Sequence, residues 1–262
     1  MIMAAPPVTQ TLEENTAVLT LNQPPVNALS HNLLDALESA VEETRQNDEV
    51  RSVVLASAIP EYFVAGADIK ELNAITSQGE GQAYAERGQA ILQKIENARK
   101  PFIAAVEGYC LGGGTELVLA CHLKVAGAHA RFGLPEVNLG LMPGFGGTQR
   151  LTQQIGLARA LGLMLTGKQV TAREACDFGL IDQVVKTGSA LDTALSFARQ
   201  IQTKSALSIA KILEAVYQDL STPLAQRYQK EAEAFGSQFE TEDAKEGLKA
   251  FLEKRMPQFK GK

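Results

Sequence analysis

Apolar positions recur along the chain in two alternating rhythms. Val18 to Leu21 and Ser52 to Leu55 are short apolar runs that predict strands. Between them, Ser30 to Asp48 carries Leu33, Leu37, Val41 and Thr44 on one stripe at helical spacing. A second helix is predicted over Glu80 to Asn97, with Tyr84, Gly88, Ile91, Leu92 and Ile95 on one face. Pro101 ends it, and Phe102 to Val106 is a continuous apolar run that predicts a buried strand. Strands alternating with helices of this length predict an α/β core.

Past residue 187 the pattern is helical throughout. Helices are expected over Ser189 to Gln202, Ala206 to Gln218, Pro223 to Phe239 and Thr241 to Lys254. Thr222-Pro223 predicts an N-cap followed by proline at the first helical position, and Thr171-Ala-Arg-Glu174 fits a capping box. Leu207, Ile209, Ile212, Leu213 and Val216 spread over several faces of one helix, an excess of apolar surface that another subunit could cover. The division expected is an α/β core with the functional site over residues 1–200 and a helical region over 201–262.

Composition narrows the classes. The 262 residues are 45% hydrophobic and 21% charged, with a net charge of −5, which excludes disorder as the main theme. The acidic balance disfavours a general nucleic-acid binder, which needs a basic face for phosphates. The last nine residues, Lys254 to Lys262, are the local exception, with four Lys or Arg and no acid. Three cysteines are an odd count and too few for a disulfide scaffold, which points to a reducing compartment. Glu13 and Glu14 precede the first basic residue, Arg45, so neither a secretory signal nor a mitochondrial presequence is legible. No apolar run is long enough to cross a bilayer. The expectation is a cytoplasmic protein with neither membrane nor nucleic acid as partner.

Most familiar chemistries find no anchor. Gly112-Gly-Gly114 and Gly144-Phe-Gly-Gly147 each precede a predicted helix, but no Gly-Lys-Ser/Thr follows either of them. His31, His122 and His129 form no metal motif with the cysteines, and the adjacent Cys121-His122 pair reads as structural. No Gly-x-Ser-x-Gly elbow is present. Glycines with carboxylates remain. In Gly112-Gly-Gly-Thr-Glu116, glycines at a helix start expose free backbone N–H groups that could stabilise an oxyanion, with Glu116 just inside the helix. Glu136 follows Pro135 twenty residues later, and Ala65-Gly-Ala-Asp68 is a small-residue turn before another helix. Spacing alone does not bring these three stretches together.

A resemblance joins them. Phe63-Val-Ala-Gly-Ala-Asp-Ile-Lys70 resembles the first oxyanion segment of the crotonase, or enoyl-CoA hydratase, family. Pro101 to Glu116 resembles its second, ending on the first catalytic acid. Phe132-Gly-Leu-Pro-Glu136 and Leu139 to Arg150 resemble the segment that bears the second acid. The likeness runs from about Thr16 to the C-terminus, where Glu246 to Arg255 also matches. It implies a spiral of ββα units followed by a helical trimerisation region, and a homotrimer or homohexamer.

By that resemblance, the N–H groups of Ala67 and Gly113 form the oxyanion hole for an acyl-CoA thioester. Glu116 and Glu136 are the catalytic acids bracketing a water. Ala65, Asp68, Ile69 and Lys70 border the CoA and acyl channel, Gly144 lies beside the reacting carbons, and Phe251 and Lys254 touch CoA from a neighbouring subunit. No metal and no cofactor beyond the substrate's own CoA is implied. The reaction implied is reversible syn hydration of a trans-2-enoyl-CoA. An enoyl-CoA isomerase is the alternative, disfavoured because family isomerases typically dispense with one of the two acids. A non-catalytic acyl-CoA or RNA binder ranks below both. One departure stands out: Leu21 to Ser30 is a residue shorter than the usual hydratase segment, and its Pro-Pro-Val-Asn wording also occurs in isomerases and multifunctional enzymes.

Overall fold

The computed structural model describes residues 6–217 and 222–262. Strands β1 (Val8–Glu13) and β2 (Thr16–Leu21) form an antiparallel hairpin, followed by helix α1 (His31–Gln46) and strand β3 (Ser52–Ser57). Next come β4 (Tyr62–Val64), α2 (Ile69–Ala74), α3 (Gln78–Glu96), β5 (Phe102–Val106), β6 (Tyr109–Leu111) and α4 (Gly113–Ala120). Strands β7 (Leu123–Gly127) and β8 (Arg131–Gly133) lead through a 3-10 turn, Glu136–Leu139, to α5 (Gly147–Ile155) and α6 (Leu157–Thr166). The chain continues with β9 (Val170–Thr171), α7 (Ala172–Phe178) and β10 (Gln183–Val185). It then turns helical in α8 (Ala190–Gln202), α9 (Ala206–Val216), α10 (Leu224–Gln238) and α11 (Glu242–Leu252).

Two sheets result, one in the order β1-β2-β3-β5-β7-β10 and one in the order β4-β6-β8-β9. Each successive pair, β3 with β4, β5 with β6 and β7 with β8, puts its first strand in the large sheet and its second in the small one. A helical segment then starts the next turn. This is the predicted spiral of ββα units.

Both faces of the large sheet are covered, which explains its continuous apolar runs. Ala17, Leu19, Val53, Leu55, Phe102 and Ala104 point into the main core beneath α1, α3 and α4. Their neighbours Val18, Val54, Ile103 and Ala105 face Ala190, Ala194, Leu195 and Ala198 of α8. The two-residue period of a strand therefore sends alternate residues of one run into two different cores.

Several local signals behave as read. Ser30 caps α1 by accepting the Leu33 N–H, and the buried stripe is Leu33, Leu37, Val41 and Thr44 with Leu34 added. The Thr171–Glu174 capping box is present at α7. The half-buried His122 accepts the Phe102 N–H at Nδ1 over 2.8 Å, and desolvation pushes its pKa down to about 4, so it is a neutral structural imidazole. Two boundaries differ. Helix α3 begins at Gln78, two residues before the expected start at Glu80, because Ser77 and Glu80 form a capping box there. Helix α10 begins at Leu224 with extended Pro223 as its cap, so the proline stands outside the first turn. The expected helix end at Gln218, and residues 1–5 of the expected core, lie outside the described residues.

Candidate active site

Strands β4, β6 and β8 are adjacent and parallel in the small sheet. Their C-terminal ends therefore lie side by side, and each releases one of the three segments singled out in the sequence. Ala65 to Asp68 leaves β4, Gly112 to Glu116 leaves β6, and Leu134 to Glu136 leaves β8. Residues about 45 and 70 positions apart along the chain thus meet because their strands are paired side by side. Around them lies a cavity of about 430 Å³, walled by apolar side chains that include Ile69, Leu72, Ile75, Leu141, Met142 and Phe145.

At this junction the N–H groups of Ala67 and Gly113 have no protein acceptor among the described residues. The turn bearing Ala67 is pinned on both sides: Leu29 N–H donates to Gly66 O at 2.8 Å, and Ala65 N–H donates to Val26 O at 3.1 Å. Gly113 is the first residue of α4, where a helix leaves its N–H groups unpaired. The residue before it, Gly112, sits at φ +53 and ψ −124, a conformation that favours glycine. Two free donors therefore border one cavity at the positive end of a helix.

Glu116 sits in the first turn of α4 with only 2% of its surface exposed. Its Oε1 accepts the N–H groups of Phe145 at 2.8 Å and Gly147 at 2.7 Å. Burial, reinforced by the charge of Glu136, raises its pKa to about 7 against the opposing pull of those two donors. Glu136 opens the 3-10 turn, and burial raises its pKa as well. Its Oε2 is buried with no hydrogen-bond partner among the described residues. Both carboxyls line the cavity with Ala67 and Gly113. The arrangement offers two hydrogen-bond donors for a developing oxyanion and two carboxyls of raised pKa able to exchange protons.

The remaining candidates divide. Ala65, Ile69 and Gly144 line the cavity. Asp68 does not: its carboxylate caps α2 by accepting the Lys70 N–H at 2.8 Å, so its work there is local. Lys70 is exposed on α2 outside the cavity wall. Phe251, 82% exposed, and Lys254 lie at the C-terminal end of α11, away from this chain's cavity. Arg255, next in the tail, pairs with Glu246 and Glu253.

Sequence reasoning missed three contributors. Tyr84 and Phe145 line the cavity with their rings 5.3 Å apart, and the Tyr84 hydroxyl donates to Leu29 O at 3.1 Å. Phe145 also packs where a side chain at Gly88 would stand. Gln89, an exposed helical glutamine, donates to Gly144 O at 2.8 Å. The glycine on the apolar stripe of α3 was the available signal for Phe145. Nothing in the local sequence marks Gln89.

The two-sheet spiral, with three strand ends feeding one cavity, defines the crotonase class of fold. The family model described as Enoyl-CoA hydratase/isomerase matches residues 11–262, and the chain belongs to that family. It is 42% identical over 251 residues to the "Probable enoyl-CoA hydratase" of Bacillus subtilis, covering 95% of this chain and 97% of that one. It is 37% identical over 244 residues to the "Short-chain-enoyl-CoA hydratase" of Clostridium acetobutylicum, covering 93% of each. A solved enoyl-CoA hydratase from Bacillus anthracis superposes with a TM-score of 0.92 at 33% identity, over 98% of this chain and 100% of that one.

Proposed function

We propose that this chain adds water reversibly, in the syn sense, to the double bond of a trans-2-enoyl-CoA, giving a 3-hydroxyacyl-CoA. The observation that carries the reading is one cavity bordered by two unpartnered N–H groups and two carboxyls of raised pKa. The N–H groups of Ala67 and Gly113 hold the thioester oxygen. Glu116, as carboxylate, holds the water and takes one proton while the water oxygen bonds to C3. Electron density moves to the carbonyl oxygen, which the two donors stabilise. Glu136, as the neutral acid, delivers its proton to C2 and the carbonyl re-forms. Return of a proton to Glu136 and loss of one from Glu116 reset the pair. Losing one such donor typically costs about 10²–10³ in rate, and each positioned carboxyl contributes about 10²–10⁴.

Ala65, Ile69 and Gly144 border the acyl group, and Asp68 and Lys70 stand beside the CoA path. The helices beyond residue 200 form the assembly region of a homotrimer or a dimer of trimers, in which Phe251 and Lys254 reach a neighbour's CoA. The exposed apolar side chains of Ile212, Phe235, Phe239 and Leu248 support that assembly. The free thiols of Cys110, Cys121 and Cys176 support a cytoplasmic setting.

The test is hydration of crotonyl-CoA, followed by the loss of its conjugated-thioester absorbance. Glu116→Gln and Glu136→Gln should each lower turnover by orders of magnitude with the fold intact. Wild-type rates in both variants would remove the reading.

A further inference from the structure

We propose that Gln89 is a positioning residue for the Glu116 carboxylate, acting through the peptide unit between Gly144 and Phe145. The inference rests on the reading above in which Glu116 takes the proton of water. Gln89 Nε2 donates to Gly144 O at 2.8 Å, and Phe145 N–H donates to Glu116 Oε1 at 2.8 Å. The Gly144 carbonyl and the Phe145 N–H are the two ends of one planar peptide. Fixing the carbonyl from α3 therefore fixes where the N–H points. The same contact polarises the peptide, so the N–H becomes a stronger donor to the carboxylate.

The surroundings assign this task to Gln89. The next peptide along, between Phe145 and Gly146, is held separately: Arg150 Nη1 donates to Phe145 O at 2.8 Å, and Arg150 is itself anchored to Glu96. The Phe145 ring is fixed against Gly88 and Tyr84. The Gly144 carbonyl has no other protein donor among the described residues. Gln89 is exposed on α3, so the core does not depend on it. Its bond nevertheless bears on an N–H that holds the Oε1 of the most deeply buried carboxylate of the site.

Losing the contact should loosen one of the two donors to Oε1. Turnover should fall about three- to tenfold, the weight of one hydrogen bond, with KM nearly unchanged. The ionised form of Glu116 would also be less well held, so the acid limb of the kcat profile should move to higher pH.

The experiment measures crotonyl-CoA hydration across the titration of Glu116 in the wild type, Gln89→Met, Gln89→Lys, Glu116→Gln and the Glu116→Gln/Gln89→Met double variant. Gln89→Met keeps the length and removes the donor. It should show the drop in kcat and the displaced acid limb with an unchanged melting temperature. Gln89→Lys restores a donor and should recover kcat to within about twofold. In the Glu116→Gln background, Gln89→Met should have no further effect. The proposal is overturned by a Gln89→Met variant with wild-type kcat and pH profile, by failure of Gln89→Lys to recover, or by an equal loss in the Glu116→Gln background. Near wild-type turnover in Glu116→Gln alone would instead bring down the assignment of Glu116, a result visible before any Gln89 variant is made.

Discussion

Gly147 donates its N–H to Glu116 Oε1 at 2.7 Å, and a Cβ at position 147 would stand 2.8 Å from that same oxygen. Glycine is therefore required because the Glu116 carboxylate occupies the space of a side chain. Leu134 Cδ1, 3.0 Å from the same point, closes the other direction of escape. Gly147→Ala should push the carboxylate out of line and lower kcat about 10²-fold, with a smaller change in KM. Steady-state hydration kinetics and a melting curve check this, because the chief loss should fall on turnover.

Asn27 gives a second test, away from the reacting groups. It is fully buried at φ +50, and its side chain ties the Gln23 to Leu29 loop to the strand that leads into Ala65. Its Oδ1 accepts the Gln23 N–H at 2.7 Å, while its Nδ2 donates to Ser57 Oγ at 2.8 Å and Phe63 O at 3.0 Å. Asn27→Ala removes these bonds, leaves buried polar groups unpaired and places alanine at a left-handed φ. The cost should be about 2–4 kcal/mol, lowering the melting temperature by roughly 5–15 °C. The turn bearing Ala67 hangs from the same loop, so kcat should fall as well. A melting curve unchanged from wild type would show that the loop is held by other contacts.

This loop also shows what the sequence could and could not disclose. Strands β2, β3 and β5 of the large sheet and helices α1 and α3 were legible because each offers several apolar residues in a clear run or period, whereas β1, β7 and β10 were not read. Strands β4, β6 and β8 have three residues each, too few to display a period of two. Yet these short strands bring Ala67, Gly113 and Glu136 together. The residues of the site could be picked out by motif, but their meeting point could not be derived from spacing. Gln89 illustrates the other limit: its partner is a backbone carbonyl 55 residues away, and no side-chain pattern encodes such a contact.

The raised pKa of Glu116 has a consequence for stability. An ordinary glutamate has a value of 4.5, and in the folded chain this one lies at about 7, so the folded state binds its proton more tightly than the unfolded state. Below 4.5 both states are protonated and the group costs nothing. As pH rises from 4.5 to 7 the folded state loses stability, and above 7 the full penalty, of the order of 3 kcal/mol, is present. Glu116→Gln keeps an oxygen to accept the Phe145 and Gly147 N–H groups and has no charge to bury. At pH 8 it should melt about 5–10 °C above the wild type while turning over far more slowly. The difference should shrink as pH falls toward 4.5. Equal melting at pH 8 would mean that the carboxylate is better solvated than its burial implies.

The same titration should govern the rate. In the reaction proposed above Glu116 takes the proton of water, so it must be ionised when substrate arrives, and kcat/KM reports the titration of the free enzyme. Its value of about 7 places the acid limb of the kcat/KM profile near neutrality, with activity falling about tenfold per pH unit below it. The proposed reaction uses Glu136 in the opposite form, and its own burial keeps it protonated to higher pH than a surface glutamate. The two carboxyls interact, so the limbs belong to the pair. Replacement separates them: Glu116→Gln should abolish the acid limb and leave a low, flatter rate, whereas Glu136→Gln should retain a limb set by Glu116. The check is the kcat/KM profile of the three proteins with crotonyl-CoA. An acid limb near pH 7 that survives in Glu116→Gln would reassign the proton acceptor to another group.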